Sequence, residues 1–243
     1  ELNQSKVKSN GQSLMSYFFK NTVSNIVDSD IIISDPFSFV FNLTPNYKKQ
    51  IVIVHHIDVK NEKNSLLQKF FNKILIYKIK KVKKIVVVSQ FWYDFLIDYG
   101  VNEDKLKVIY NSYDISKYNI SDSEKNIFRN RYKLSDKKPI IYIGVADPIK
   151  GVDDVYNELK NKNYQIVMTG SSNKAHKNTN AQFLSLDKYE LRVLLSLSNV
   201  VIVMSRLNEG WSRVAHEAIL SKTIVIGSGA VSYTHLTLPT KRI

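Results

Sequence analysis

Cysteine is absent from the 243-residue sequence. Its absence excludes disulfides, thiolate metal ligands and a cysteine nucleophile, and it fits a reducing compartment. No apolar run comes near the roughly 20 residues that a membrane-spanning helix needs. We therefore predict a chain that does not cross a bilayer and that lies in the cytoplasm.

Acidic residues are few beside basic ones, since 22 Asp and Glu face 35 Lys and Arg and the formal net charge is +13. This balance favours an anionic partner: a membrane surface, a nucleic acid or a phosphorylated ligand. Charge alone does not choose among them. The length and the 44% apolar content are enough for one large domain or two of ordinary size.

Short apolar runs rich in β-branched residues recur in the first half of the chain, at 31–34, 51–54, 85–89 and 107–110. Helical patterns separate them. Apolar residues follow helical spacing from Leu66 to Leu75, and a second helix is predicted from Phe91 to Tyr99, closed by Gly100. This alternation predicts a parallel sheet covered by helices on both faces.

A polar stretch at 119–126 interrupts the pattern, which resumes with a helix ending near Lys133, and we place a domain boundary near residue 118. A second series follows, with strands predicted at 139–144, 164–170, 199–205 and 223–227, and helices at about 152–160, 187–197 and 212–221. The sequence thus predicts two doubly wound α/β domains, 1–118 and 119–230. Ligands bind beyond the carboxyl ends of such strands, so the loops after strands are the first candidate sites.

The segment from Val231 to Ile243 resembles the translation of a sequencing adapter. We expect it to be a non-native tail and leave it out of the fold; the alternative is a genuine strand and turn. We also expect the natural protein to continue beyond Ala230. Because the chain begins at Glu1 and not at Met, we expect its start to be missing as well.

The loop after the 139–144 strand contains Gly144, Lys150 and Gly151 and leads into a helix. Gly144 allows a tight turn, and Gly151 leaves space before a helix start whose N–H groups and dipole favour an anion. Lys150 adds a full positive charge, so the loop suits a diphosphate. The alternative is a solvated lysine in an ordinary loop, and the Gly-Lys-Ser/Thr of a Walker motif does not occur.

The stretch NEGWSRVAHEA, residues 208–218, places two carboxylates around another helix start. Ser212 is a good N-cap, so Glu209 lies in the loop and Glu217 more than one turn into the helix. A carboxylate can accept from two adjacent hydroxyls, which suits a sugar or a ribose, and Gly210 permits close approach of the backbone. With a phosphate site between them, the predicted ligand is a nucleotide sugar.

These segments resemble the retaining glycosyltransferases of the GT-B fold, group 1, also called family 4. IIYIGVADPIKGVDDVYNEL resembles the donor loop, SRLNEGWSRVAHEAILSKTIVIGSG the Glu-x7-Glu motif and its following strand, and VVVSQFWYDFLIDYGVNEDKLKVIYNSYD the end of the N-terminal domain. The resemblance covers residues from about 30 to 230. It implies two Rossmann-like domains facing a cleft, with the acceptor mainly on the first and the donor on the second, incomplete one.

The resemblance also implies a role for each matched residue. Lys150 would stabilise the leaving diphosphate and Glu209 would contact the donor-sugar hydroxyls, while Glu217 would bind the ribose. The backbone amides of Gly210 and Trp211 would lie near the sugar and the phosphates. The other substrate-binding candidates are Gly144, Gly151, Ser212 and Arg213.

Two positions depart from the family pattern. Val145 stands where the family commonly has an arginine, and Ser212 stands where glycine is common. One cation for the phosphates is therefore missing. Arg213 is a candidate replacement, and the alternative is an arginine on the helix surface.

The strand at 51–54 ends in His55-His56-Ile57-Asp58. His56 resembles the family residue that faces the donor sugar and is our third catalytic candidate, with His55 as the alternative. A metal site is also conceivable from these residue types, but adjacent strand side chains point to opposite faces. We predict no metal and no cofactor beyond the donor, and we expect His216 to lie on a helix surface.

Lysines crowd the helix predicted after residue 65 and its exit; they are Lys69, Lys73, Lys78, Lys80, Lys81, Lys83 and Lys84. One interpretation is a core helix with a solvated basic face. The other is attachment to anionic lipid, which would place the protein peripherally on the inner membrane face.

The resemblance implies a hexosyl-type transferase of polysaccharide biosynthesis. It would move a sugar from a nucleotide donor to a hydroxyl of a glycan, lipid-linked or cell-envelope acceptor, with retained anomeric configuration and with no assigned covalent nucleophile. The alternatives are a non-catalytic nucleotide-sugar-binding protein of the same fold and a basic nucleic-acid-binding protein. No recognised nucleic-acid motif is present, which disfavours the latter and leaves nucleic acid out of the predicted partners.

Overall fold

The computed structural model describes residues 29–42, 46–57, 66–170, 179–206 and 210–228. The chain forms two compact units that divide between Tyr110 and Asn111. Each unit contains a parallel sheet with helices packed against it, so the predicted α/β class is confirmed. The tail from Val231 lies outside the described residues, and the expectation about it stays a prediction.

The sheet of the first unit has four parallel strands in the order β1-β2-β3-β4. Its elements in chain order are β1 (Ile32–Ser34), α1 (Pro36–Phe41), β2 (Gln50–Val54), α2 (Leu66–Ile79), β3 (Lys84–Val87), α3 (Gln90–Asp98) and β4 (Leu106–Val108). Among the described helices, none combines the length and the apolarity needed to cross a membrane.

Local sequence explains where these elements begin. Asp35 caps α1 by accepting from the amides of Phe37 and Ser38, and Pro36 takes the first helical position, where its missing N–H is not needed. Ser89 caps α3 in the same way, accepting from the amide of Trp92. The buried face of α3 then follows helical spacing, and its residues Trp92 and Leu96 are almost fully buried.

The sheet of the second unit has five parallel strands in the order β7-β6-β5-β8-β9. Its elements in chain order are α4 (Asp122–Tyr132), β5 (Ile140–Val145), α5 (Val152–Leu159), β6 (Gln165–Thr169), β7 (Gln182–Leu184), α6 (Lys188–Leu197), β8 (Val200–Val203), α7 (Arg213–Leu220) and β9 (Ile224–Gly227). The strand order reverses at β5, because β6 and β8 lie on its two sides.

The central strand β5 explains the two hydrophobic cores of this unit. Successive strand residues point to opposite faces. Ile140 and Tyr142 therefore pack in a cluster that also contains buried residues of α4, α6 and α7. Ile141 and Ile143 pack on the other face, with buried residues of α5. Burial on both faces accounts for the continuous apolar run in the sequence.

The polar stretch at 119–126 is partly helical. A capping box starts α4: the hydroxyl of Ser121 accepts from the amide of Glu124, and the carboxylate of Glu124 accepts from the amide of Ser121 at 2.7 Å. Hydrogen bonds from the hydroxyls of Ser121 and Tyr189 lower the pKa of Glu124 to about 2. The helix therefore begins at Asp122, within a sequence that hydrophobic periodicity does not mark.

Candidate functional site

Two loops meet where the strand order reverses. β5 and β8 are parallel neighbours, so the loops that follow them leave the same edge of the sheet. The amide of Arg206, in the loop after β8, donates to the carbonyl oxygen of Ile149, in the loop after β5, at 3.1 Å. Ligands of doubly wound sheets bind at such a reversal. The candidate phosphate loop and the start of the loop leading to the carboxylate pair therefore lie together at one edge of the sheet.

Gly151 allows the two loops to approach each other. Its φ is +68°, in the left-handed region, and a Cβ atom there would lie 2.2 Å from the carbonyl oxygen and 3.1 Å from the carbonyl carbon of Met204. Only glycine fits this contact. Gly144 also has a positive φ, +104°, at the point where the chain leaves β5.

The loop after β5 is held by its own side chains. The carboxylate of Asp147 accepts from the amide of Ile149 at 3.0 Å, and a short 3-10 turn, Pro148–Lys150, ends at the partly buried Lys150. The first turn of α5 holds Asp153 and Asp154. These carboxylates compete with any anion at this helix start, although the exposed side chain of Arg206 pairs with Asp154.

The start of α7 is more favourable to an anion. Ser212 is buried and its hydroxyl accepts from the amide of Ala215 at 3.4 Å, which caps the helix. The first turn of α7 holds no acidic residue. Gly210 lies buried just before the cap, and Arg213, the first helical residue, is exposed. A phosphate would therefore meet helix-start amides and a cation here, with no carboxylate in the first helical turn.

An aromatic stack holds the loop before α7. The rings of Trp211 and His216 are 4.0 Å apart between centroids with 12° between planes, and Tyr113 lies parallel to His216 at 6.0 Å. Trp211 Nε1 donates to the hydroxyl of Tyr113 at 3.0 Å. His216 Nδ1 lies 2.7 Å from the carbonyl oxygen of Ser212. His216 is thus partly buried in the site, not on the helix surface as predicted.

The hydrogen bond between Trp211 and Tyr113 can be tested by a double-mutant cycle. We expect Trp211→Phe and Tyr113→Phe each to lower the free energy of unfolding by about 1 kcal/mol through loss of this bond. The double variant should cost about 1 kcal/mol less than the sum, because both single changes remove the same bond. Urea denaturation measures all three, with the exposed Tyr164→Phe as a control. Strictly additive losses would show that the bond contributes nothing.

Glu217 is the acidic residue of α7 and directly follows His216 of this stack in the sequence. Burial raises the pKa of its half-buried carboxyl, and the nearby cations Arg213, Arg192 and Lys188 oppose that rise. Within the described ranges, no group donates a hydrogen bond to its carboxylate. A partly buried carboxylate without donors is unusual, and ligand hydroxyls would satisfy it.

Three tyrosines lie within electrostatic range of Glu217. Burial, and after it the charge of Glu217, raises the pKa of Tyr118 to about 12. Tyr142 also has its pKa raised to about 12, chiefly by burial, and its hydroxyl lies 2.8 Å from that of Thr169. Burial likewise raises the pKa of Tyr113. All three therefore stay neutral at physiological pH, and their hydroxyls keep the ability to donate hydrogen bonds.

The remaining candidates are not all brought to this site. Glu209 lies outside the described residues. His56 and His55 are exposed directly after β2, in the first unit, and the roles suggested for them stay predictions. Val145, which stands where the family pattern has arginine, is exposed at the end of β5. Tyr113 was missed, because no local pattern marks a residue that meets its partner 98 positions away.

Comparison with known proteins adds to this geometry. Residues 7–117 match the family Glycosyltransferase Family 4. The fold of the chain is similar to HepE of Anabaena, solved with UDP and glucose, with a TM-score of 0.73 and 18% identity over 97% of this chain and 68% of HepE. The predicted resemblance to GT-B glycosyltransferases of family 4 is thereby confirmed, together with the two-sheet fold class.

Two further solved structures have a fold similar to that of the chain. A glycosyltransferase from Rickettsia africae has a TM-score of 0.60 and 20% identity, over 91% of this chain and 64% of that one. Sucrose-phosphate synthase from Thermosynechococcus elongatus has a TM-score of 0.64 and 17% identity, over 86% and 58%. The chain spans 56% of HepE in its complex with UDP-glucose. No curated protein is similar enough in sequence to give a match.

Proposed function

We propose that the protein transfers a hexosyl group from a nucleotide sugar to an acceptor hydroxyl with retention of anomeric configuration. The observation that carries this proposal is the half-buried carboxylate of Glu217, beside the acid-free start of α7, where the order of a parallel sheet reverses. A uridine diphosphate sugar is the first donor to consider, because HepE was solved with UDP-glucose.

The donor is proposed to lie across the two loops after β5 and β8. Glu217 accepts from the ribose hydroxyls, the amides at the start of α7 and the charge of Lys150 bind the diphosphate, and Glu209 accepts from hydroxyls of the sugar. Arg213, exposed at the first position of α7, can supply the cation that Val145 does not.

The chemistry needs little beyond charge stabilisation. The bond between the anomeric carbon and the phosphate oxygen breaks, and a bond from that carbon to the acceptor oxygen forms. The proton of the acceptor hydroxyl passes to the departing diphosphate, on which negative charge grows. Lys150 and the helix amides stabilise that charge as it develops. No covalent nucleophile, metal ion or further cofactor is part of the proposal.

For the acceptor we propose a lipid-linked or cell-envelope glycan, as in polysaccharide biosynthesis. Recognition of the acceptor would involve the first unit, where His56 is the third proposed catalytic residue. The protein would then work in the cytoplasm, peripherally bound to the inner face of the membrane. The lysine-rich segment that includes α2 supports this location.

A ligand screen tests the proposal. UDP-, GDP- and ADP-sugars are compared by thermal shift, and those that stabilise the protein are then tested for turnover with candidate acceptors. We expect a UDP-sugar to stabilise the protein and to be consumed. Stabilisation without turnover would identify a non-catalytic nucleotide-sugar binder. Salt-sensitive RNA binding that is tighter than donor binding would refute the proposal.

Lys150→Ala should slow sugar transfer at least about tenfold, or about 1.4 kcal/mol, because the leaving diphosphate loses a cation. Steady-state turnover measures the effect. Lys137→Ala is the matched control, since Lys137 is an exposed lysine of the same unit that precedes β5 and so lies at the opposite edge of the sheet. A chelator should leave wild-type turnover unchanged. Wild-type turnover by Lys150→Ala, or a strict requirement of the wild type for a metal ion, would contradict this site.

A further inference from the structure

The solvent side of α2 carries aromatic rings as well as lysines. Phe70 and Tyr77 are 62% and 63% exposed, although both are large apolar side chains. They are seven positions apart, so they lie two turns apart on one side of the helix, and the exposed Lys73 lies between them. The buried residues Asn72, Leu75 and Ile79 occupy the opposite side. Packing within the unit therefore does not explain the two rings.

The lysines of this segment are not equivalent. Lys78 is partly buried, and its ammonium group donates to the carbonyl oxygens of Phe39, Val40 and Asn42 at 3.2, 3.0 and 2.6 Å. Burial lowers its pKa. Lys84 donates to the carbonyl oxygen of Asp104. Both lysines are therefore bound to backbone carbonyls of the same unit.

The five lysines of the segment without such a carbonyl contact among the described bonds are all exposed; they are Lys69, Lys73, Lys80, Lys81 and Lys83. Residues 66–84 contain no Asp or Glu. By helical spacing, Lys69, Lys73 and the turn that follows α2 lie on the same side as the two exposed rings. We call the set Lys69, Phe70, Lys73, Tyr77, Lys80 and Lys81 the α2 face. It combines positive charge with apolar rings and carries no opposing charge.

We propose that the α2 face docks the protein on an anionic lipid surface, with the helix in the plane of the interface and the rings of Phe70 and Tyr77 among the headgroups. A helix with this division of rings and lysines binds such interfaces. Each lysine near an anionic surface strengthens binding about fivefold. The inference rests on the peripheral location proposed above, but it does not depend on the donor chemistry.

The rings favour lipid over single-stranded nucleic acid. Binding of unpaired bases needs open aromatic faces on which the bases stack. The ammonium group of Lys81 lies 4.0 Å from the centre of the Tyr77 ring and covers one face of it. Insertion of the ring edge and hydroxyl into a headgroup layer leaves that contact intact. Charge and ring placement therefore fit an anionic bilayer better than a nucleic-acid strand.

Vesicle co-sedimentation of the complete chain tests the proposal. Vesicles of phosphatidylcholine alone are compared with vesicles that also contain phosphatidylglycerol, at low and high salt. We expect binding only with phosphatidylglycerol and loss of binding at high salt, because exposed charges are screened. Two double variants, Phe70→Ser with Tyr77→Ser and Lys69→Gln with Lys73→Gln, should each bind at least tenfold more weakly.

Matched controls separate docking from folding. Ile127→Ser removes an equally exposed apolar side chain from α4 of the second unit, and it should bind vesicles as the wild type does. Lys78→Gln should lower the melting temperature without weakening vesicle binding by the folded protein. All variants should keep wild-type affinity for the nucleotide donor, so failure of docking is distinguishable from failure of the proposed function.

Three results would overturn the proposal. One is equal binding to neutral and anionic vesicles, and another is wild-type vesicle binding by the folded Phe70→Ser, Tyr77→Ser variant. The third is tighter binding of the protein to single-stranded RNA than to anionic vesicles, with that binding lost in the same variants. This result would assign the α2 face to nucleic acid.

Discussion

Gly151→Ala should lower the free energy of unfolding by about 2–5 kcal/mol and should abolish high-affinity donor binding. A left-handed conformation costs an L-residue about 1–2 kcal/mol. Forcing an extra carbon into a packed contact costs about 1–3 kcal/mol more. Here the added Cβ would lie 2.2 Å from a carbonyl oxygen of Met204, which must shift with the loop that carries it. Urea denaturation and calorimetry with UDP measure the two effects.

Gly100→Ala provides the matched control. Gly100 has a similar φ, +78°, but a Cβ there would meet only the flexible end of Lys80, at 3.4 Å. We therefore expect the conformational cost alone, about 1–2 kcal/mol, and unchanged donor binding. If both glycine variants lose the same stability and both keep donor binding, the contact with Met204 does not hold the two loops together.

Glu217→Gln should weaken UDP and UDP-sugar binding alike, by tenfold or more, since both ligands carry the ribose. Glu209→Gln should spare UDP binding yet impair sugar transfer, because only the intact donor offers sugar hydroxyls. Each change keeps the shape of the side chain and removes a charge-assisted hydrogen bond, which contributes roughly 1.5–3 kcal/mol. Calorimetry with both ligands and a turnover assay measure the difference. Equal loss of UDP binding in both variants would contradict the division of roles.

The raised pKa of Glu217 adds a pH dependence to this result. Ribose binding needs the ionised carboxylate. As the pH is lowered, UDP affinity should therefore begin to fall at a higher pH than it would with an ordinary glutamate. Glu217→Gln should remove this dependence. A folded-state pKa above the unfolded value contributes stability at low pH that is lost as pH rises through it. Glu217→Gln should therefore be slightly more stable than the wild type at neutral pH, with the gain vanishing in acid.

Apolar patterns predicted most elements of the fold, including the short strands β1 and β4, and missed α1 and β7. The strands around Val52, Ile85 and Val201 carry apolar runs that need no context to be recognised. By contrast, α1 has six residues and β7 has three, too few to show a period. The start of α4 was missed because it depends on the capping box of Ser121 and Glu124, and not on apolar spacing.

The candidate site was predictable only where the chemistry is local. Gly144, Lys150 and Gly151 lie in one loop. The glycines indicate a tight turn there, and the lysine indicates a positive charge. The stacking of His216 and the contact of Gly151 with Met204 join separate elements, so no short sequence pattern reveals them. Asp153 and Asp154, at the start of α5, were visible in the sequence. What they do to a bound anion depends on the start of α7 at Arg213, which offers the anion another position without acids in its first turn.

The contact of Lys78 with α1 has a consequence for the order of folding events. A six-residue helix is not stable alone in water, since nucleation is costly. The last carbonyl groups of α1 are satisfied by a lysine from a helix 38 positions further along the chain. We therefore expect α1 to form only after α2 has closed that long loop, which makes α1 a late structure with little influence on the folding rate.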